Sequence, residues 1–173
     1  MMPLGQSPAG PRSGRLLHVS ASVRGTESHS RRFGCQLVAR LQRRRPFQVV
    51  ERDLGVEPLP YPDVAFVTAS LMADRERGAT ETAALALSEK LISELESADV
   101  IVIDTPMHNF TVPAALKTWI DYVARPHRTF RPSPGGKVGL LRDRPIYVVI
   151  ACGGGLDAGM NGRWQRNGTA KAC

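Results

Sequence analysis

Cysteine is scarce: Cys35, Cys152 and Cys173 are the three in a chain of 173 residues. An odd number without close spacing argues against a disulfide framework and against a cysteine-built zinc site, so reduced thiols and no metal are expected. Long apolar runs are missing too. The longest, Val100 to Ile103 and Ile146 to Cys152, fall far short of the roughly 20 residues that a membrane helix needs, which excludes a spanning helix and leaves no membrane partner in view. Met1 to Gly14 is rich in Pro, Gly and Ser but lacks the apolar core of an export signal, so it reads as a flexible leader and the expected location is the cytoplasm. Acidic residues are outnumbered, 16 against 23 Lys+Arg, for a net charge of +7. Aromatic residues make up only 6%, and Arg43-Arg44-Arg45 are not interleaved with rings that bases could stack on. A solvated helical face is the ordinary reading of such a run, and a nucleic-acid partner is not expected.

What is present is an alternation of apolar segments. Arg15 to Ser20 predicts a strand, Ser20 to Ser30 a loop, and Phe33, Leu37 and Leu41 the buried stripe of a helix that ends before Pro46. Phe47 to Glu51 predicts a second strand. Asp53 to Ala79, with Pro58, Pro60 and Pro62, reads as a long surface connection with a short helix near Ala69 to Arg75. Ala84, Leu87, Leu91 and Leu95 make Thr80 to Ser97 the clearest helix. Val100 to Ile103 has the β-branched character of a strand covered on both faces, followed by a polar turn from Asp104 to Thr111. Pro113 then opens a helix with Leu116, Ile120 and Val123 inward. A loop through Gly135-Gly136 leads to a fourth strand, Pro145 to Ile150, and the turn Gly153-Gly154-Gly155. This order specifies an α/β fold, a doubly wound parallel sheet in three α/β/α layers. Beyond Leu156 no further element can be read.

In an open parallel sheet, ligands bind outside the carboxyl ends of the strands. Three loops fall there. The first, Ser20 to Ser30, has neither GxxxxGK[ST] nor GxGxxG, which speaks against an ATP P-loop and a dinucleotide fingerprint. It offers hydroxyls instead: Ser22, Ser28, His29 and Ser30 are candidate donors to a terminal phosphate at a helix N-terminus, and Ser28 equally suits a simple helix cap. The second, Thr105-Pro-Met-His-Asn-Phe110, sets a thioether, an amide and a ring at a strand end, where Met107 and Phe110 suit either a flat ligand or the core. The third, Cys152 to Gly155, lets backbone approach a ligand closely or merely turns the chain. Together they fit a flat heteroaromatic phosphate such as FMN.

The spacing of Ser22, Ser28-His-Ser30, Pro106-Met-His-Asn-Phe110, Pro113-x-x-Leu116-Lys117-x-Trp119-x-Asp121 and Thr129-Phe130 resembles the FMN-dependent NADH azoreductases, flavodoxin-like quinone reductases. Arg52-Asp53-Leu54 and Cys152 to Gly155 also fall on corresponding segments. The resemblance implies one flavodoxin-like FMN-binding domain over residues 15–156, after a leader at 1–14 and before an atypical tail at 157–173. It implies that Ser22, Ser28, His29 and Ser30 hold the FMN phosphate, that Met107, His108, Asn109 and Phe110 pack along the isoalloxazine and hydrogen-bond it, and that Cys152, Gly153, Gly154 and Gly155 line its other edge. It implies hydride transfer from NADH or NADPH to quinones or aromatic azo compounds, a homodimer, and no catalytic residue beyond the cofactor. His108 stands where the family has an aromatic residue and is a candidate for the substrate side. The family's C-terminal helix and edge strand are not legible in Leu156 to Cys173, so strand four is expected to expose an edge and an apolar face. Two other readings stand beside this one: a non-catalytic remnant of the family, and a basic nucleic-acid-binding module.

Overall fold

The computed structural model describes residues 13–153; the segment before them, and Gly154, Gly155 and the tail, lie outside the described residues. In chain order the elements are β1 (Gly14–Ser20), α1 (His29–Arg44), β2 (Phe47–Asp53), α2 (Val64–Leu71), α3 (Ala79–Ser97), β3 (Val100–Pro106), α4 (Ala114–Val123), β4 (Phe130–Ser133), β5 (Gly136–Gly139) and β6 (Ile146–Ala151). Strands β2, β1, β3 and β6 lie side by side in that order, all parallel. Consecutive residues of β1 face opposite ways, and both faces are covered. Leu16 joins Val100, Val102 and Val38 in a small core beneath α1. Leu17 and Val19 join Ile101, Phe66, Leu91, Ile92, Leu116 and Trp119 in the larger core under α2, α3 and α4. Each such fully buried Leu or Ile contributes about 1.5–3 kcal/mol. The expected three-layer α/β/α arrangement is what the chain adopts.

Four expectations are corrected. The inward stripe of α1 is Ser30, Gly34 and Val38, flanked by Leu37 and Leu41, whereas Phe33 is 46% exposed under the Arg32 guanidinium. Small residues face the sheet there because α1 lies close to it: a Cβ on Gly34 would stand 2.7 Å from Asp104 Oδ2. The short helix of the long connection is α2, starting at Val64 rather than Ala69, because the Asp63 carboxylate caps it by accepting from Phe66 N–H at 2.8 Å. Strand β3 runs on through Asp104, Thr105 and Pro106, which had read as a turn. The Asp104 carboxylate is fully buried yet satisfied, by His18 Nε2 at 2.7 Å and by the Ser20 hydroxyl at 2.9 Å. The loop through Gly135-Gly136 is a hairpin in which β4 and β5 pair antiparallel around Pro134-Gly135, and Gly136 takes a φ of +119°.

At the sheet's margin, β6 leaves Ile146, Val148 and Ile150 on one face at 57%, 44% and 57% exposure. This is the apolar face expected of strand four.

Candidate functional site

The carboxyl ends of β1, β3 and β6 border a crevice of about 250 Å³, and all three expected loops reach it. A larger depression of about 410 Å³, between Leu71, Met72, Asp74 and His127, lies away from the strand ends. It lacks the grouping of hydroxyls and helix N-terminus that marks the smaller one. Ser22, Arg24, Ser28, His29 and Ser30 line one end of the crevice. Ser22, Ser28 and Ser30 are each at least 96% buried. Ser28 is both cap and lining: its Oγ accepts from Arg31 N–H at 3.3 Å and sits 3.1 Å from Ser30 Oγ. The first-turn N–H groups of His29 and Ser30 have no intrahelical acceptor, as at any helix start, and add to the positive end of the α1 dipole. Arg32 donates to His29 Nδ1 at 3.0 Å, which leaves the proton of a neutral His29 ring on Nε2.

What holds this loop lies partly outside the residues that the sequence singled out. The Arg31 guanidinium forks onto the Asp53 carboxylate and, through Nη2, donates to Ser22 O at 3.0 Å. Asp53 Oδ1 also accepts from Gly55 N–H at 3.0 Å and Val56 N–H at 3.2 Å. The hydrogen bond from Arg31, supported by these N–H donors, holds the Asp53 carboxyl below its ordinary range. Gly55 has to be glycine, since a Cβ there would stand 2.4 Å from Ser22 O. Loops after β1 and β2 are thereby clamped together. The only signal for this in the sequence was the Arg52-Asp53-Leu54 segment of the resemblance; Arg31 is one of several arginines on α1, and nothing local marks it as the paired one.

Pro106, Met107 and His108 line the other end, with Ala151, Cys152 and Gly153 beside them. Met107 N–H donates to Ala151 O at 2.7 Å, tying the second loop to the third. His108 and Thr111 exchange backbone hydrogen bonds, both 2.9 Å, around Asn109 and Phe110 at φ +48° and +63°. Two successive left-handed non-glycine residues are costly, and such strain gathers at functional loops. Asn109 and Phe110 therefore form the tip of a tight turn rather than the crevice wall, and the Phe110 ring is 85% exposed. Of the twelve residues named from the sequence, Ser22, Ser28, His29, Ser30, Met107, His108, Cys152 and Gly153 meet in one crevice. Gly154 and Gly155 lie outside the described residues. Among the described residues no grouping of three or more His, Cys, Asp or Glu side chains is placed to hold a metal.

Comparison with known proteins agrees with this fold. Residues 14–170 match the family described as a flavodoxin-like fold. A Cupriavidus pinatubonensis protein named FMN-dependent NADH:quinone oxidoreductase 2 is 56% identical over 141 residues, which is 81% of this chain and 68% of that protein. A Pseudomonas fluorescens protein, FMN-dependent NADH:quinone oxidoreductase 4, is 48% identical over 80% of this chain and 66% of its own length. The chain thus spans about two thirds of these relatives. A crystal structure of azoreductase from Bacillus anthracis, 33% identical, superposes with a TM-score of 0.71 over 82% of this chain and 70% of that one. With its strand order and these likenesses in agreement, the chain belongs to the flavodoxin-like family of FMN-dependent NADH:quinone oxidoreductases and azoreductases.

Proposed function

We propose that the protein is an FMN-dependent oxidoreductase that passes hydride from NADH or NADPH to quinones or aromatic azo compounds. The observation that carries the reading is the convergence of buried hydroxyls at a helix N-terminus and an apolar strand-end loop on one crevice. The two ends suit the two ends of FMN. Ser22, Ser28 and Ser30 hydroxyls and the His29 and Ser30 N–H groups would receive the phosphate, whose charge the α1 dipole favours. Pro106 and Met107 would pack along the ring, with the polarizable thioether following its flat face. Cys152 and Gly153 would border the ring's far edge.

Bound FMN would supply the hydride chemistry, and the protein would supply orientation and surroundings. The Arg31 clamp fixes Ser22, and the Met107 bond to Ala151 fixes the ring end, so both contacts are set before a ligand arrives. His108 would face the acceptor, with a ring N–H placed to give a proton to its oxygen or nitrogen. An unchanged turnover and acceptor preference in His108→Phe would remove that role.

The same reading takes the protein as a cytoplasmic homodimer. In support, α2 leaves Val64, Val67 and Leu71 exposed at helical spacing, with Tyr61 just before it. Light scattering after gel filtration is expected to give twice the chain mass, and a monomer that still binds FMN would remove the dimer. The primary test is spectroscopic. Protein mixed with FMN is expected to retain it through gel filtration with shifted visible bands, and the bands to bleach when NADH is added without oxygen. A colourless protein would overturn the reading.

A further inference from the structure

We infer that Arg24 is the counter-charge of the flavin phosphate and makes the crevice select FMN over riboflavin. The inference rests on the reading of the crevice as an FMN site and adds a residue outside the serine loop ends and the helix start. A phosphate monoester carries roughly −1.5 to −2 charges near neutral pH, as it does on a phosphorylated side chain. The hydroxyls of Ser22, Ser28 and Ser30 and the imidazole of His29 can donate to such a group, but a neutral hydroxyl does not balance its charge.

The nearby cations divide cleanly. Arg31 is spent on Asp53 and on Ser22 O. Arg32 is turned to His29. Arg24 lines the crevice itself, and among the described residues it has no carboxylate within 4 Å. Its position is fixed locally. Arg24 N–H donates to Ser22 Oγ at 3.3 Å, Arg24 O accepts from Glu27 N–H at 3.1 Å, and Gly25 O accepts from Ser28 N–H at 3.2 Å. Gly25, at φ +54°, turns the chain directly behind it. This tight turn holds the Arg24 backbone beside the hydroxyl-lined end, which puts that end within reach of a guanidinium that has no carboxylate partner among the described residues, and the fork geometry of guanidinium suits two phosphate oxygens. Among the described residues no other arginine or lysine lines the crevice.

The test compares two flavins that differ only in the phosphate, titrated by quenching of their fluorescence. The unsubstituted protein is expected to bind FMN at least about tenfold more tightly than riboflavin, and Arg24→Gln to weaken FMN about tenfold while leaving riboflavin unchanged. Arg24→Lys should keep part of the preference, and added salt should narrow it, because the side chain is exposed. Arg24→Gln binding FMN as tightly as the unsubstituted protein would overturn the assignment, as would an equal loss for both flavins, which would mean that the turn and not the charge was disturbed. If the unsubstituted protein binds neither flavin, the FMN reading fails by itself. Inorganic phosphate, followed through the amide resonances of His29 and Ser30, then decides Arg24: weaker binding in Arg24→Gln retains the counter-charge and equal binding removes it.

Discussion

Asp53 shows how one side chain can hold a ligand loop without touching a ligand. Its carboxylate gathers Arg31 and two backbone N–H groups, and Arg31 in turn holds Ser22 O. Because the folded carboxyl titrates below its ordinary value of 3.8, the ion pair contributes its full stabilisation above that value and loses it as pH falls through the folded value. Asp53→Asn has no such contribution to lose. The stability gap between the two proteins should be flat above about pH 5 and shrink below about pH 4, measured by urea midpoints. A gap that stays constant to the acid limit would mean that the Asp53 charge is not what matters. The residue was visible in the sequence only as part of a motif. Its partner 22 positions away was not, because an arginine on a helix with many arginines carries no mark of being the paired one.

Elements were legible where the apolar period was strong. Helix α3, with Leu91 and Leu95 buried, strand β1 and the Val100 to Ile103 part of β3 follow directly from their patterns. Helix α2 and the β4–β5 hairpin did not, since the one is set by an Asp63 cap after three prolines and the other by the Pro134-Gly135 turn. Asp104 misled for a different reason: a carboxylate reads as a turn residue until His18 and Ser20 are seen beside it. Strand β6 carries the element-scale prediction. Its three exposed apolar side chains form a row on what is, among the described residues, an edge strand, the arrangement that favours association between chains. The pair Val148→Lys and Ile150→Lys should leave the circular dichroism spectrum unchanged and lower light scattering at high protein concentration. Scattering that persists would place the sticky surface elsewhere.

Across the described molecule, several of the arginines are paired internally with carboxylates. Arg125 is 2% exposed, donates to Ser88 Oγ at 3.0 Å and pairs with Glu89, while Arg128 bridges Glu89 and Glu96. Arg52 pairs with Glu94 and Glu57, and Arg142 with Asp99. These contacts bind α3 to the chain leaving α4 and to the sheet. Arg125→Met should cost about 1–3 kcal/mol, less than a fully buried pair because Glu89 is 43% exposed, and should leave FMN affinity intact. A denaturation midpoint that does not move would show that the network adds nothing to stability.

The sequence by itself determined the fold class and the end of the sheet where a ligand goes, because apolar periodicity sets which residues are buried and a parallel sheet has one ligand-binding end. It also determined most of the crevice lining, because hydroxyls and small residues at strand ends are chemical signals that do not depend on distant neighbours. Only the tertiary structure decided that Asn109 and Phe110 form the exposed tip of a tight turn, that Gly34 and Gly55 are seats for Asp104 and Ser22, and which arginines are paired. Those outcomes depend on backbone dihedrals and on contacts between segments far apart in the chain, which no local pattern of residues encodes.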